Sequence, residues 1–325
     1  MKWTQKLLDW KAKAEAGGLI RVLSKFEVSD FEVVDMRGRS DVVYGCIVDT
    51  ETTGTNHQED EVIELGVVKI AVRKSDSAFL GVVGWYASLR EPSKEIDAEA
   101  QRVHGISMED VKGKVLDVEG LEEMLDGCAF VIAHNAAFDR PFCEKLHPKF
   151  LGLHWMCSVK ELEWLDACGV SGDELVITGA KLEYLAFKFG FFYEAHRADT
   201  DCGVLLKVLT DGKLKTGESL LSVLLKSGRR RTYRLYAFGA PFDKKDALKE
   251  AGFRWNPTDK VWHMDVGVDD RDGLLAVLDM LHSQVFRGSA VKGVLFRELS
   301  AKQRYSTQEE KVDVQRISFT GVIEE

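Results

Sequence analysis

The chain has 325 residues, 45% hydrophobic and 30% charged, enough apolar material for one large domain or two modest ones, which excludes a disordered or fibrous protein. Acidic residues outnumber basic ones 53 to 44, so binding of nucleic acid by global positive charge is excluded and any nucleic acid must be held locally. Apolar runs such as Val62 to Val72 are broken by charge well before the roughly 18 residues that a membrane span needs, and no signal-peptide core opens the chain. The expectation is a soluble, cytoplasmic protein with no membrane partner.

The six cysteines (Cys46, Cys128, Cys143, Cys157, Cys168 and Cys202) are scattered with no C-x-x-C pair, which predicts reduced thiols and no zinc site. In chain order, Trp3, Leu7, Leu8, Trp10 and Ala14 predict a helix from Met1 to about Ala16, stopped by Gly17 and Gly18, as an appendage to the main body. Three extended, Val- and Ile-rich runs follow at Val42 to Asp49, Val62 to Val72 and Gly81 to Leu89, consistent with an antiparallel sheet. Helix and strand then alternate: helix Asp117 to Leu125, strand Phe130 to Ala133, helix Pro141 to Leu146, strand His154 to Ser158, and helices Leu182 to Phe189 and Asp199 to Leu209. Strands first and alternation afterwards predict an α/β fold with a mixed sheet flanked by helices.

Residues 226–325 are net +3 whereas those before them are net −12, and the change at Lys226-Ser-Gly-Arg-Arg-Arg231 reads as a domain boundary. Beyond it, strand Thr232 to Ala237, helix Lys244 to Ala251, strand Val261 to Val266 and helix Asp270 to His282 make a small α+β unit. The expected organisation is an N-terminal helical extension (1–41), a main domain (42–212), a basic linker (213–231), an accessory domain (232–286) and a tail (287–325). In that tail, alternating Val312, Val314, Ile317 and Phe319 have no readable role.

Three acidic fragments carry the chemistry. In Ile47-Val-Asp49-Thr-Glu51-Thr-Thr-Gly54 the carboxylates at i and i+2 of a strand share one face. Like charges repel there and burial resists ionisation, costs that a divalent cation offsets; a solvated edge strand is the alternative. In His134-Asn135-Ala-Ala-Phe138-Asp139-Arg140-Pro141 an apolar strand runs into a helix whose first turn is expected to hold the proline, putting Asp139 near the helix start, where an ordinary cap is the alternative. In His196-Arg-Ala-Asp199-Thr-Asp201, residues five apart lie about 140° apart on a helix, so His196 and Asp201 face one site only if His196 stays on the loop. Asp199 is expected to be a solvated helix cap.

In this order and spacing the fragments resemble the DEDDh family of 3′-to-5′ exonucleases, which includes the epsilon proofreading subunit of DNA polymerase III and RNase T. The resemblance spans about Tyr44 to Leu209, with supporting matches at Glu61-Val-Ile-Glu-Leu-Gly66 and Val103-His104-Gly105-Ile106-Ser107. It implies a ribonuclease H-like fold with a mixed five-stranded sheet. It also implies hydrolysis of nucleoside monophosphates from a free 3′ end with two divalent cations, Mg2+ or Mn2+ in its place, which prefer oxygen ligands. The family's division of labour makes Asp49, Glu51, Asp139 and Asp201 the metal ligands, with Asp139 acting largely through water, and His196 the general base. Thr52, Thr53 and Gly54, with His104 and Phe138, would receive the terminal nucleotide.

Single-stranded DNA is the expected substrate, in DNA repair or proofreading. A polymerase-associated subunit, an exoribonuclease and a non-catalytic nucleic-acid module are the alternatives. Met156-Cys157-Ser158 departs from the D-T that often follows the second motif, which leaves the catalytic set intact. The aromatic run from Tyr236 through Trp255 and Pro257 to Trp262 is similar to a small module appended to some epsilon-like exonucleases. Arg229, Arg230, Arg231 and Arg234 beside it are candidate nucleic-acid contacts, while core building or protein contact would use the same aromatics.

Overall fold

A computed structural model describes residues 5–16, 18, 20–168, 177–256, 259–308 and 314–324. The start of the predicted first helix, its stop at Gly17, Pro257 and Val312 lie outside the described residues. The chain divides into two units, one of residues 1–227 with 305–307 and one of residues 228–304 with 308–325.

In the first unit the three Val-rich runs become β1 (Val42–Thr52), β2 (Val62–Arg73) and β3 (Phe79–Leu89), and the later strands become β4 (Cys128–Ala133) and β5 (His154–Cys157). The sheet order is β3-β2-β1-β4-β5, antiparallel on the β3 side and parallel on the β5 side. This is the mixed five-stranded sheet of a ribonuclease H-like fold. The longer helices are α1 (Gln5–Glu15), α2 (Ala98–His104), α3 (Val118–Leu125), α4 (Ala136–Leu146), α5 (Leu182–Lys188), α6 (Ala198–Asp211) and α7 (Leu220–Ser227).

Alternation along β1 and β2 sorts their side chains onto two cores. Ile47, Val68 and Ile70 pack with α5, α6 and α7, while Cys46, Val48, Leu65 and Val67 pack with α3 and α4 on the other face. The five cysteines whose side chains are described carry free thiols. Among the described residues, no helix is long and apolar enough to cross a membrane.

Several stretches differ from the sequence expectation. β1 runs three residues further, through Glu51 to Thr52, because β2 continues to pair with it. α4 starts at Ala136, so Pro141 sits in its second turn and leaves the Ala137 carbonyl without its usual donor. The segment after α1 is built into the unit: Ser24–Lys25 pairs in parallel with Phe191–Phe192, and Phe26 is buried in the core. Within the expected linker, α7 buries Leu220, Leu221, Leu224 and Leu225 in that same core.

The second unit comprises β6 (Thr232–Ala237), α8 (Lys245–Glu250), β7 (Arg254–Asn256), β8 (Val261–Gly267), α9 (Arg271–Met280), β9 (Gly293–Leu299), β10 (Gln315–Ser318) and β11 (Ile323–Glu324). They form an antiparallel sheet in the order β7-β8-β6-β9-β10-β11. The stretch expected as a tail thus supplies β9, the neighbour of β6, and Ile317 is fully buried.

Candidate active site

The end of β1 carries the acidic cluster. Asp49 pairs with Gly66 and Glu51 with Glu64 across the β1–β2 ladder, so all four positions share the face on which α6 packs. Gly66 is required for that packing: a Cβ there would stand 2.2 Å from the Ala198 carbonyl carbon. The first turn of α6 therefore lies directly on the sheet, and Asp201 joins Asp49 and Glu51 with carboxylate oxygens within 4.8 Å of one another. The structure brings together three of the four acids expected as ligands.

Asp139 reaches the strand end from the other face. Its Oδ1 accepts the Thr50 N–H at 3.1 Å and the Thr50 hydroxyl at 2.9 Å. Thr50 points away from Asp49 and Glu51 by the period-two rule, which is why Asp139 stands beside the cluster and not inside it. Its charge is still felt, being among the groups that raise Asp49.

The electrostatics are those of an uncompensated anionic site. Burial, then Asp139, Asp201 and Glu51, push Asp49 well above the usual carboxylate range. Burial, then Asp201 and Glu64, push Glu51 up to about 8. Burial raises Asp139 to about 7, opposed by its bonds from Thr50, and burial also raises Asp201. The nearby cation, Arg197, is paired with Glu64 at 2.7 Å. An all-oxygen donor set, crowded and short of positive charge, fits a hard divalent cation.

His196 lies on the loop two residues before α6, with φ +69°, and Asp201 lies in the first turn, the arrangement that the five-residue spacing requires. Its ring faces Glu183 on α5, Nε2 to Oε1 at 3.6 Å, and is 41% exposed. Asp199 does not cap the helix; its Oδ1 accepts the Thr200 N–H, and it is Asp201 that receives the N–H of Arg197 at the N-cap.

The residues expected to receive a nucleotide are largely engaged in the fold. The Thr52 hydroxyl donates to the Gly54 carbonyl at 2.6 Å, and Thr53, fully buried, donates to Asp60 and accepts the Glu61 N–H. At Gly54 a Cβ would stand 2.5 Å from the Asp60 carboxylate and 2.6 Å from the Asp97 carboxylate, so a side chain there would have to push both aside. His104 accepts the Ile106 N–H on Nδ1, which fixes the ring, and donates from Nε2 to the Thr52 carbonyl at 3.2 Å, which braces the Thr52 turn. Phe138 packs on Phe142 with ring centroids 5.1 Å apart.

In the second unit, Arg234 forms a two-pronged pair with Asp265 at 2.6 and 2.7 Å, and Arg231 pairs with Glu298. Arg230 stands 3.8 Å from Asp269, while Arg229 is exposed. Arg234, on β6, is therefore committed to a cross-strand ion pair, whereas the pairs of Arg230 and Arg231 are exposed to solvent. Two contributors to the acidic site lie outside the sequence expectation. Tyr193 donates to Asp201 at 2.9 Å and Glu64 holds Arg197; Glu64 lies in a motif match, but nothing local to Tyr193 signals its partner.

A model of the exonuclease family matches residues 46–209. DNA polymerase III PolC-type from Thermotoga maritima is 31% identical over 193 residues, 57% of this chain and 13% of that protein. DNA polymerase III subunit epsilon from Escherichia coli K12 is 35% identical over 106 residues, 30% of this chain and 41% of that protein. The chain thus spans less than half the length of these curated relatives. Among solved structures, exonuclease X in complex with 5′ overhanging duplex DNA aligns at 21% identity and a TM-score of 0.35 over 56% of this chain and 92% of that one.

Proposed function

The chain belongs to the exonuclease family, and from that premise we propose that it is a metal-dependent 3′-5′ exonuclease that removes nucleoside monophosphates from DNA, with the chemistry in residues 42–212. The observation that carries this reading is the convergence of Asp49, Glu51 and Asp201 at the end of β1, with no basic side chain among the described residues in an ion pair with them. These three would hold a divalent cation, and Asp139, turned aside by Thr50, would reach a second through water. Bound there, such cations supply a nucleophile at neutral pH and stabilise charge on the leaving 3′ oxygen.

The chain's own residues do the rest. Gly54 lets backbone approach the terminal nucleotide, and His104 and Asp60 hold the Thr52–Gly54 turn rigid beneath it. His196, on a loop beside Asp201 and 41% exposed, would turn from Glu183 toward an attacking water and take its proton. DNA, and work alongside a DNA polymerase, are inferred from the names of the relatives.

The test is a side-by-side digestion of 5′-labelled single-stranded DNA, duplex DNA and RNA of one sequence in Mg2+. Stepwise shortening from the 3′ end, fastest on single-stranded DNA, is expected; faster loss of RNA would make the protein an exoribonuclease. Retention of the purified chain on an immobilised replicative polymerase tests the association.

A further inference from the structure

Both oxygens of Asp201 are occupied from the protein side. The Tyr193 hydroxyl donates to Oδ1 at 2.9 Å and the Arg197 N–H donates to Oδ2 at 3.0 Å. Arg197 is itself gripped by Glu64, which is almost fully buried and stands directly opposite Glu51 in the ladder. Glu64 accepts Arg197 Nη2 at 2.7 Å, Arg197 Nε at 3.2 Å and the Ala198 N–H at 3.1 Å. A fourth carboxylate on the crowded face is thus turned away from the other three and spent on the first residues of α6.

A plain stabilising ion pair does not account for this arrangement. Glu64 is buried but the Arg197 side chain is 56% exposed, and an ion pair so open to solvent adds little to stability. What Glu64 does hold is the start of the helix that carries Asp201, and Tyr193 holds the carboxylate itself, eight residues before it in sequence. Both interactions would be redundant if only burial of α6 mattered, since Val204, Leu205, Val208 and Leu209 already seat that helix in the core.

We propose that Tyr193 and Glu64 are positioning residues for Asp201: Tyr193 fixes the direction its carboxylate faces, and Glu64, through Arg197 and Ala198, fixes where its helix begins. The inference rests on reading Asp49, Glu51 and Asp201 as a cation site. Groups that orient a metal ligand from behind are worth about 10- to 100-fold in metal affinity or activity, which is the scale of effect expected here.

The experiment measures Mn2+ binding to the full chain by the electron paramagnetic resonance signal of free Mn2+, without nucleic acid, alongside melting temperature. Tyr193→Phe removes only a hydroxyl and is expected to weaken Mn2+ binding about 10-fold with little change in melting temperature. Glu64→Gln keeps an acceptor for the Ala198 N–H but loses the charge pair, so it should weaken binding less than Glu64→Ala does. Excess Mn2+ should recover most of the exonuclease rate of Tyr193→Phe. Wild-type Mn2+ affinity in both Tyr193→Phe and Glu64→Gln would overturn the proposal, as would a lowered melting temperature with affinity unchanged. Absence of Mn2+ binding by the wild-type chain would instead overturn the cation site and this inference with it, and is told apart because it precedes any substitution.

Discussion

Burial and mutual repulsion hold the acidic cluster partly protonated near neutral pH, with Glu51 pushed up to about 8 and Asp139 to about 7. In an unfolded chain these groups titrate near 4. Between about pH 4 and pH 8 the metal-free native state therefore binds more protons than the unfolded state, and its stability falls as pH rises through that window. Thermal melts in chelator should give a lower melting temperature at about pH 8 than at about pH 5.5, and Mg2+ should raise the melting temperature more at the higher pH. Asp49→Asn should relieve the repulsion, raising the metal-free melting temperature at about pH 8 while abolishing hydrolysis; a lowered melting temperature would contradict the repulsion. His196→Ala should leave Mn2+ binding intact and slow turnover by about 10²- to 10⁴-fold, the usual worth of general-base assistance. Asp49, Glu51, Asp139 and Asp201 are legible in the sequence through the order and spacing of three fragments and the family they resemble, since each fragment read alone leaves a solvated strand or an ordinary helix cap open. Glu64 and Tyr193 are less so: the Glu64–Arg197 bond joins residues 133 positions apart, and only the register of β1 on β2 makes Glu64 a neighbour of the site.

Helix α6 reaches the sheet because position 66 has no side chain. Gly66→Ala would bring a Cβ to 2.2 Å from the Ala198 carbonyl carbon, which is backbone and cannot swing aside. The first turn of α6 must lift, taking Asp201 with it. Overpacking of this kind costs about 1 to 3 kcal/mol, and the variant should lose Mn2+ affinity beyond what Tyr193→Phe loses. Unchanged affinity would mean that the helix start does not set the site. The long Val-rich strands are legible because pattern and length agree. Pro141 misleads because proline's preference for a first turn is overridden when the strand–helix junction at Asn135 fixes the start of α4. The segment from Ser24 to Lys25 has too little pattern to read alone; it is ordered by pairing with Phe191–Phe192 and by burial of Phe26.

At the scale of the whole chain, acidic and basic character are divided between the two units. A divalent cation would invert the local field of the net-negative part at one place, so phosphate can approach there without a basic surface. Of the four candidate arginines for nucleic-acid binding, Arg234 is held in a largely buried pair with Asp265 and Arg231 in an exposed one with Glu298, while Arg230 stands only loosely against Asp269 at 3.8 Å, so Arg229 and Arg230 are the ones best placed to carry any such role. If they do, an Arg229→Ala/Arg230→Ala variant should bind a long single strand with a shallower salt dependence, by about 0.7 in log–log slope for each phosphate no longer neutralised. Equal slopes would assign the basic segment to structural support. The charge change near residue 226 is legible from composition, whereas α7 and the strands beyond 286 are not, because their apolar residues acquire a face only when the rest of each unit supplies one.

That the Asp49, Glu51 and Asp201 cluster is the hydrolytic centre of a 3′-5′ exonuclease is tested most sharply by following a 5′-labelled single strand in Mg2+ with the wild-type chain, with Asp49→Asn and with excess chelator. A one-nucleotide ladder and released nucleoside monophosphates are expected from the wild type alone, with resistance of a strand whose 3′ hydroxyl is blocked. A ladder that persists in chelator or in Asp49→Asn, or rapid cutting of a circular single strand, would contradict that assignment.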